Sequence, residues 1–155
     1  MKQTYAQVPL GDLYMNIAYQ CAKMLYGRHL FNPMPLPVAV LVKDGRILRV
    51  VASAHGAHQH EGHCARLAHN VPSGTRYDLC PHCDPRLHAE ALAVKGLDAR
   101  GADVYVYGHW YFCAHCRNTL SLAGVNGWFV LEDAHRLFQP GDPGCVIGKP
   151  GQFAL

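Results

Sequence analysis

His88-Ala89-Glu90-Ala91-Leu92-Ala93-Val94, then Val104-Tyr105-Val106-Tyr107, then Cys113-Ala114-His115-Cys116 is the run that decides how this chain is read. Leu87 to Leu97 reads as a helix, Val104 to Tyr107 as a strand, and Cys113 to Ala123 as a second helix. Each polar motif therefore opens a helix, and one strand separates them. Together they supply one imidazole, two thiolates and a carboxylate that need not bind metal. Three N/S ligands with a fourth position open distinguish a catalytic zinc from a structural one, whose four positions are all filled by protein. Alone, His88 reads as a capping histidine, Glu90 as a solvated helix residue, and Cys113 with Cys116 as half of a structural site. Their joint occurrence at two helix starts makes His88, Cys113 and Cys116 the candidate ligands and Glu90 the candidate proton carrier.

Working outward, Val38 to Val42 and Ile47 to Ala52 are β-rich runs joined by Lys43-Asp44-Gly45-Arg46, and Asp-Gly between two such runs is a hairpin signal. Apolar residues at Leu10, Leu13, Ile17, Cys21 and Met24 form a helical stripe, with Gly27 as its stop. The proline-rich Asn32 to Pro37 is an extended connector. The order helix, hairpin, helix, strand, helix, strand predicts a mixed sheet flanked by helices, an α/β fold. Neither repeats nor a linker divide the chain, so residues 1–155 are expected to form a single domain. The tail, Gln139 to Leu155, is broken by Pro and Gly and leaves room only for a brief strand at Cys145 to Gly148.

A chain of 155 residues with half of them hydrophobic can bury a core, and its net charge of +3 shows no basic stripe of the kind a duplex-binding protein carries. The first nine residues lack the apolar core of a signal peptide, and no apolar run reaches membrane-spanning length. Seven cysteines, four of them in two C-x-x-C pairs among histidines, suit zinc sites in a reducing compartment better than disulfides. A cytoplasmic protein is the expectation.

Ser53 to Leu87 is a long irregular segment with His55, His58, His60, His63, His69 and His82 and three cysteines. A segment of that length inside a compact domain is usually functional or held by something. Cys64, Cys80 and Cys83 with one histidine would make a closed structural zinc set; His63 and His60 are equal choices for the fourth ligand. The plainer alternative is unligated surface thiols.

His-x-Glu followed by Pro-Cys-x-x-Cys is the pattern of zinc deaminases acting on nucleobases, and the chain matches it except for Phe112 in place of the proline. From about Val38 to Asp133 it resembles the cytidine and deoxycytidylate deaminase superfamily. The resemblance implies a three-layer α/β/α domain in which the two zinc motifs face each other at helix N-termini. It further implies hydrolytic removal of an exocyclic amine, with Glu90 moving the protons. Some deoxycytidylate deaminases also carry a second, non-catalytic zinc. Relatives often add a further helix and strand where this chain has its short tail, and often form oligomers.

The family's usual sugar-contacting Asn is absent from Ser53-Ala54-His55-Gly56, where His55 takes the matching place, and Trp110 or Tyr111 is a candidate for stacking on a base. Deoxycytidylate is the leading substrate on the layout of motifs and loop cysteines. The alternatives are a base in single-stranded DNA or RNA, which calls for a positive groove with aromatics, and a non-catalytic zinc-stabilised interaction module. The last is opposed by an intact Glu90.

Overall fold

The computed structural model describes residues 5–28, 37–54, 65–72, 75–80, 83–139, 141–147, 149 and 151–153. Its centre is a five-stranded mixed sheet, with β1 at Ala6–Val8, β2 at Val38–Lys43, β3 at Arg46–Ala52, β4 at Asp103–Tyr107 and β5 at Gly127–Leu131, in the order β1-β5-β4-β2-β3. Strand β2 runs antiparallel to both β3 and β4, whereas β4, β5 and β1 are parallel. The β2–β3 hairpin turns at Asp44-Gly45, both with positive φ (51° and 74°), the backbone a two-residue turn needs to follow strand twist.

The two sheet faces follow from side-chain alternation. On one face, Tyr105 and Tyr107 of β4 meet helix α1, Leu13–Arg28, through Tyr14 at 5.2 Å and Tyr19 at 5.4 Å. The short helix Ala134–Leu137 (written α5) leads to Phe138, whose ring lies 5.0 Å from Tyr107, and Phe153 of the tail packs on Tyr19 and Tyr26. Leu41, Arg49 and Val104 are register partners and share the opposite face. There Arg49 reaches helix α3, Ala89–Val94, which packs against α4, Ala114–Leu122. Helices on both faces give the three-layer α/β/α arrangement; α2, Ala65–Ala68, lies apart from these layers in the long connection.

Four features differ from the sequence reading. Gly27 does not stop α1, which starts at Leu13 and continues to Arg28. Strand β1 was not expected, because three residues are too short to show alternation; its stability comes from parallel pairing with β5, Ala6 opposite Phe129 and Val8 opposite Leu131. No strand forms at Cys145 to Ile147; those residues turn, and the Val146 amide donates to the Leu137 carbonyl at 2.8 Å. Gly148 lies outside the described residues. Finally, α3 and α4 are shorter than Leu87 to Leu97 and Cys113 to Ala123, beginning one residue after His88 and Cys113.

Arg49 anchors α3 to the sheet. Its guanidinium donates to the carbonyls of Leu92 and Lys95, both at 2.7 Å, where α3 ends. Arg49→Met keeps the aliphatic stem and removes these bonds. It is expected to cost about 1 kcal/mol, read as a lowered urea midpoint at unchanged slope; an unchanged midpoint would contradict this anchoring.

Candidate metal centre

His88 and Cys113 occupy the same local position, the N-cap of a short helix, both with extended backbone (φ −65°, ψ 148° and φ −64°, ψ 163°). Neither uses its side chain to cap its own helix, which leaves both side chains available to one another. Cys116 follows one turn into α4 and is fully buried. Because α3 and α4 pack side by side, the ligand atoms of His88, Cys113 and Cys116 all lie within 4.8 Å of one another. His88 Nδ1 is 3.5 Å from Cys113 Sγ and 3.4 Å from Cys116 Sγ. In a tetrahedral zinc site, Zn–S of about 2.3 Å and Zn–N of about 2.0–2.1 Å put ligand nitrogen and sulfur about 3.5 Å apart. The donor chemistry and spacing fit that ion. Among the described residues this is the one group of three such side chains with this convergence.

The approach to His88 is built by the preceding turn. Asp84 caps a 3-10 turn at Pro85–Leu87, its carboxylate accepting from the Arg86 amide at 2.8 Å. The Arg86 guanidinium pairs with the same carboxylate and holds its pKa down at about 2. The Leu87 carbonyl then accepts from the Ala54 amide at 2.9 Å and from the buried Ser53 hydroxyl at 3.2 Å. The end of β3 is thereby tied directly to the residue before His88. Tyr77 packs edge-on against the His88 ring at 5.4 Å, and the Arg66 guanidinium lies 4.3 Å from the Tyr77 ring centroid.

Glu90 sits in the first turn of α3, only 4 % exposed. The Cys116 thiol donates toward Glu90 Oε2 at 3.7 Å, which puts a buried carboxylate against the three donors. Cys113 is the thiol that ionises first. The Cys116 thiol hydrogen-bonds to it and His88 lies beside it, holding it well below the ordinary thiol range although burial opposes this. Cys116 moves the other way, raised because it supplies that hydrogen bond, lies buried and faces Glu90.

The other candidates distribute as follows. His115 is exposed and takes no part in the donor group. Trp110 is half-buried against the core in a loop rather than on a strand, since β4 ends at Tyr107; its ring contacts His109 at 4.7 Å and Tyr111 at 5.0 Å. Phe112 precedes the N-cap of α4, so the missing proline is not a first helical residue and its absence leaves the helix start intact. Cys80 and Cys83 are both buried with Tyr77 against them, in a turn where the Cys83 amide donates to the Cys80 carbonyl at 3.1 Å. Cys64, His63, His60 and His55 lie outside the described residues. Sequence reasoning missed Ser53 and Tyr77; the former had no signal beyond its place at the end of a strand, and the latter stands eleven residues before His88 with no motif around it.

Removing one thiol from the convergent group should abolish its hold on metal. Cys113→Ala is expected to fold and to retain one zinc equivalent fewer than the parent by elemental analysis. Equal content in the two proteins would show that these side chains do not form a metal site.

No family profile matches the chain, and no curated protein matches it in sequence. Among solved structures, the chain is similar to dCMP deaminase from the cyanophage S-TIM5. The form in complex with dCMP and dUMP is 19% identical with a TM-score of 0.42, covering 74% of this chain and 78% of that one. The apo form is 16% identical with a TM-score of 0.41, covering 74% and 79%. A likeness at that level leaves the functional argument to the chemistry of the site.

Proposed function

We propose that the chain is a zinc-dependent hydrolytic deaminase of a cytosine-bearing nucleotide, with deoxycytidylate as the leading substrate. One observation carries the reading: a buried carboxylate, Glu90, lies against a set of three N/S donors that converge among the described residues. A structural site would fill the fourth position with protein and would gain nothing from a carboxylate buried beside its donors. His88, Cys113 and Cys116 would hold the ion, which when bound would supply Lewis acidity enough to bring the pKa of a water at its open position near neutral. Glu90 takes one proton of the attacking water and passes it to the ring nitrogen, then carries the second proton from the hydroxyl now on the ring carbon to the departing amine, so that the C–N bond breaks and water and amine become carbonyl and ammonia.

The substrate class rests on the resemblance of the motif to nucleobase deaminases. The net charge of +3 favours a free nucleotide over a base in a nucleic-acid strand, which would call for a positive groove. Trp110, with its ring among His109 and Tyr111, and His55, three positions past the end of β3 in sequence, are the residues we assign to the base and sugar. Thiol pairs of this kind persist in a reducing compartment, which fits a cytoplasmic enzyme.

The same reading includes a second, structural zinc held by Cys64, Cys80, Cys83 and His63. It is supported by the buried Cys80–Cys83 turn and by its position just before the Asp84–His88 approach. The parent is then expected to carry two zinc ions per chain, and Cys80→Ser to lose one while its connection becomes the first site of proteolysis. One zinc per chain, with equal protease resistance in Cys80→Ser, would contradict this second site.

Glu90→Gln keeps the shape of the side chain and removes its proton chemistry. It is expected to retain the metal of the parent and to lose about 10²–10⁴-fold in the rate of ammonia release. Near-parental turnover in this variant would overturn the mechanism.

A further inference from the structure

We infer that Tyr5 is a positioning residue for the ligand Cys113, acting through the backbone of Phe112. The inference rests on the reading of His88, Cys113 and Cys116 as a metal centre. The Tyr5 hydroxyl accepts from the Phe112 amide at 3.1 Å and donates to the Phe112 carbonyl at 3.1 Å, across 107 positions of sequence. A phenol is both donor and acceptor, so this one oxygen serves Phe112 as a neighbouring strand would. Phe112 is 1% exposed, and a buried residue's amide and carbonyl must find partners. A proline at this position would have no amide to satisfy. Phe112 introduces a buried donor immediately before the ligand, and Tyr5 takes it up.

The phenol is itself fixed from both sides. The next residue, Ala6, is in register with Phe129 of β5, so strand pairing sets the height of Tyr5 on the sheet. Its ring lies 4.6 Å from the Phe112 ring and 6.4 Å from Trp128, and the last two are 5.5 Å apart. An aromatic cluster thus locks the ring, the hydroxyl locks the 112 backbone, and the extended N-cap at Cys113 follows directly. The short strand β1 thereby connects the edge of the sheet to the aim of one ligand sulfur. Supporting groups of this kind govern how well ligands are oriented toward a metal.

The test uses cobalt(II) in place of zinc, since thiolate-to-cobalt charge-transfer and d–d bands report ligand geometry without any turnover. Bands present in the parent and absent in Cys113→Ala define the signal of this centre. Tyr5→Phe removes one oxygen and keeps the ring. It is expected to bind cobalt about tenfold more weakly and to shift the d–d bands. Phe153→Ala removes the packing of the tail on Tyr19 and Tyr26 while leaving β1 and the hydroxyl in place, and is expected to lower the melting temperature with parental bands and affinity. Parental affinity and bands in Tyr5→Phe, or an equal loss of affinity in Phe153→Ala, would overturn the role of the hydroxyl. Absence of the bands from the parent would instead overturn the metal centre on which it rests.

Discussion

The packing of α3 against α4 with their N-termini level is the constraint on which the site depends. Each helix contributes its N-cap residue, His88 or Cys113, in nearly the same extended conformation, and Cys116 returns one turn later to complete the group. Twenty-five positions separate His88 from Cys113, and strand β4 runs between them. The sheet sets where each helix begins; the helix starts set where nitrogen and sulfur meet. Holding one imidazole and two thiols this close, with Glu90 buried beside them, gives a donor set whose chemistry and spacing suit a zinc ion.

That constraint is secured from several directions by backbone contacts rather than by apolar packing alone. Arg49 ties the end of α3 to β3, and the Leu87 carbonyl receives Ala54 and Ser53 from the end of the same strand. On the other side Tyr5 bridges the residue before Cys113. Helix α3 therefore has a hydrogen-bonded strap at each end and α4 has one at its start, and the strands supply the buried valines Val104 and Val106 and the wholly buried Val38 to Leu41. Such an arrangement puts precision at the donors.

The hairpin, the α4 strand-to-helix crossover and the sides of the sheet were legible because their signals are local. Asp44-Gly45 demands a tight turn, and β-rich runs of four to six residues announce strands. The donor set was legible for the same reason: ligand spacing is a local property of His-x-Glu and Cys-x-x-Cys. Strand β1 was not, since Ala6-Gln7-Val8 has no pattern of its own and becomes a strand only because β5 offers an unpaired parallel edge. The tail showed the converse error. Val146 and Ile147 have β propensity, but Pro and Gly around them and the Leu137 carbonyl nearby favour a turn. Ser53 and Tyr5 carry no motif; their importance lies in which backbone groups they satisfy across the fold, and that depends on tertiary placement.

Substrate turnover tests the central claim most directly. Zinc-loaded parent protein should be assayed for ammonia release across cytosine, adenine and guanine as bases, nucleosides, nucleotides and oligonucleotides. The account predicts release from deoxycytidylate, with stoichiometric deoxyuridylate and little from adenine or guanine compounds. Metal-loaded, folded protein that releases no ammonia from any member of the panel would contradict it.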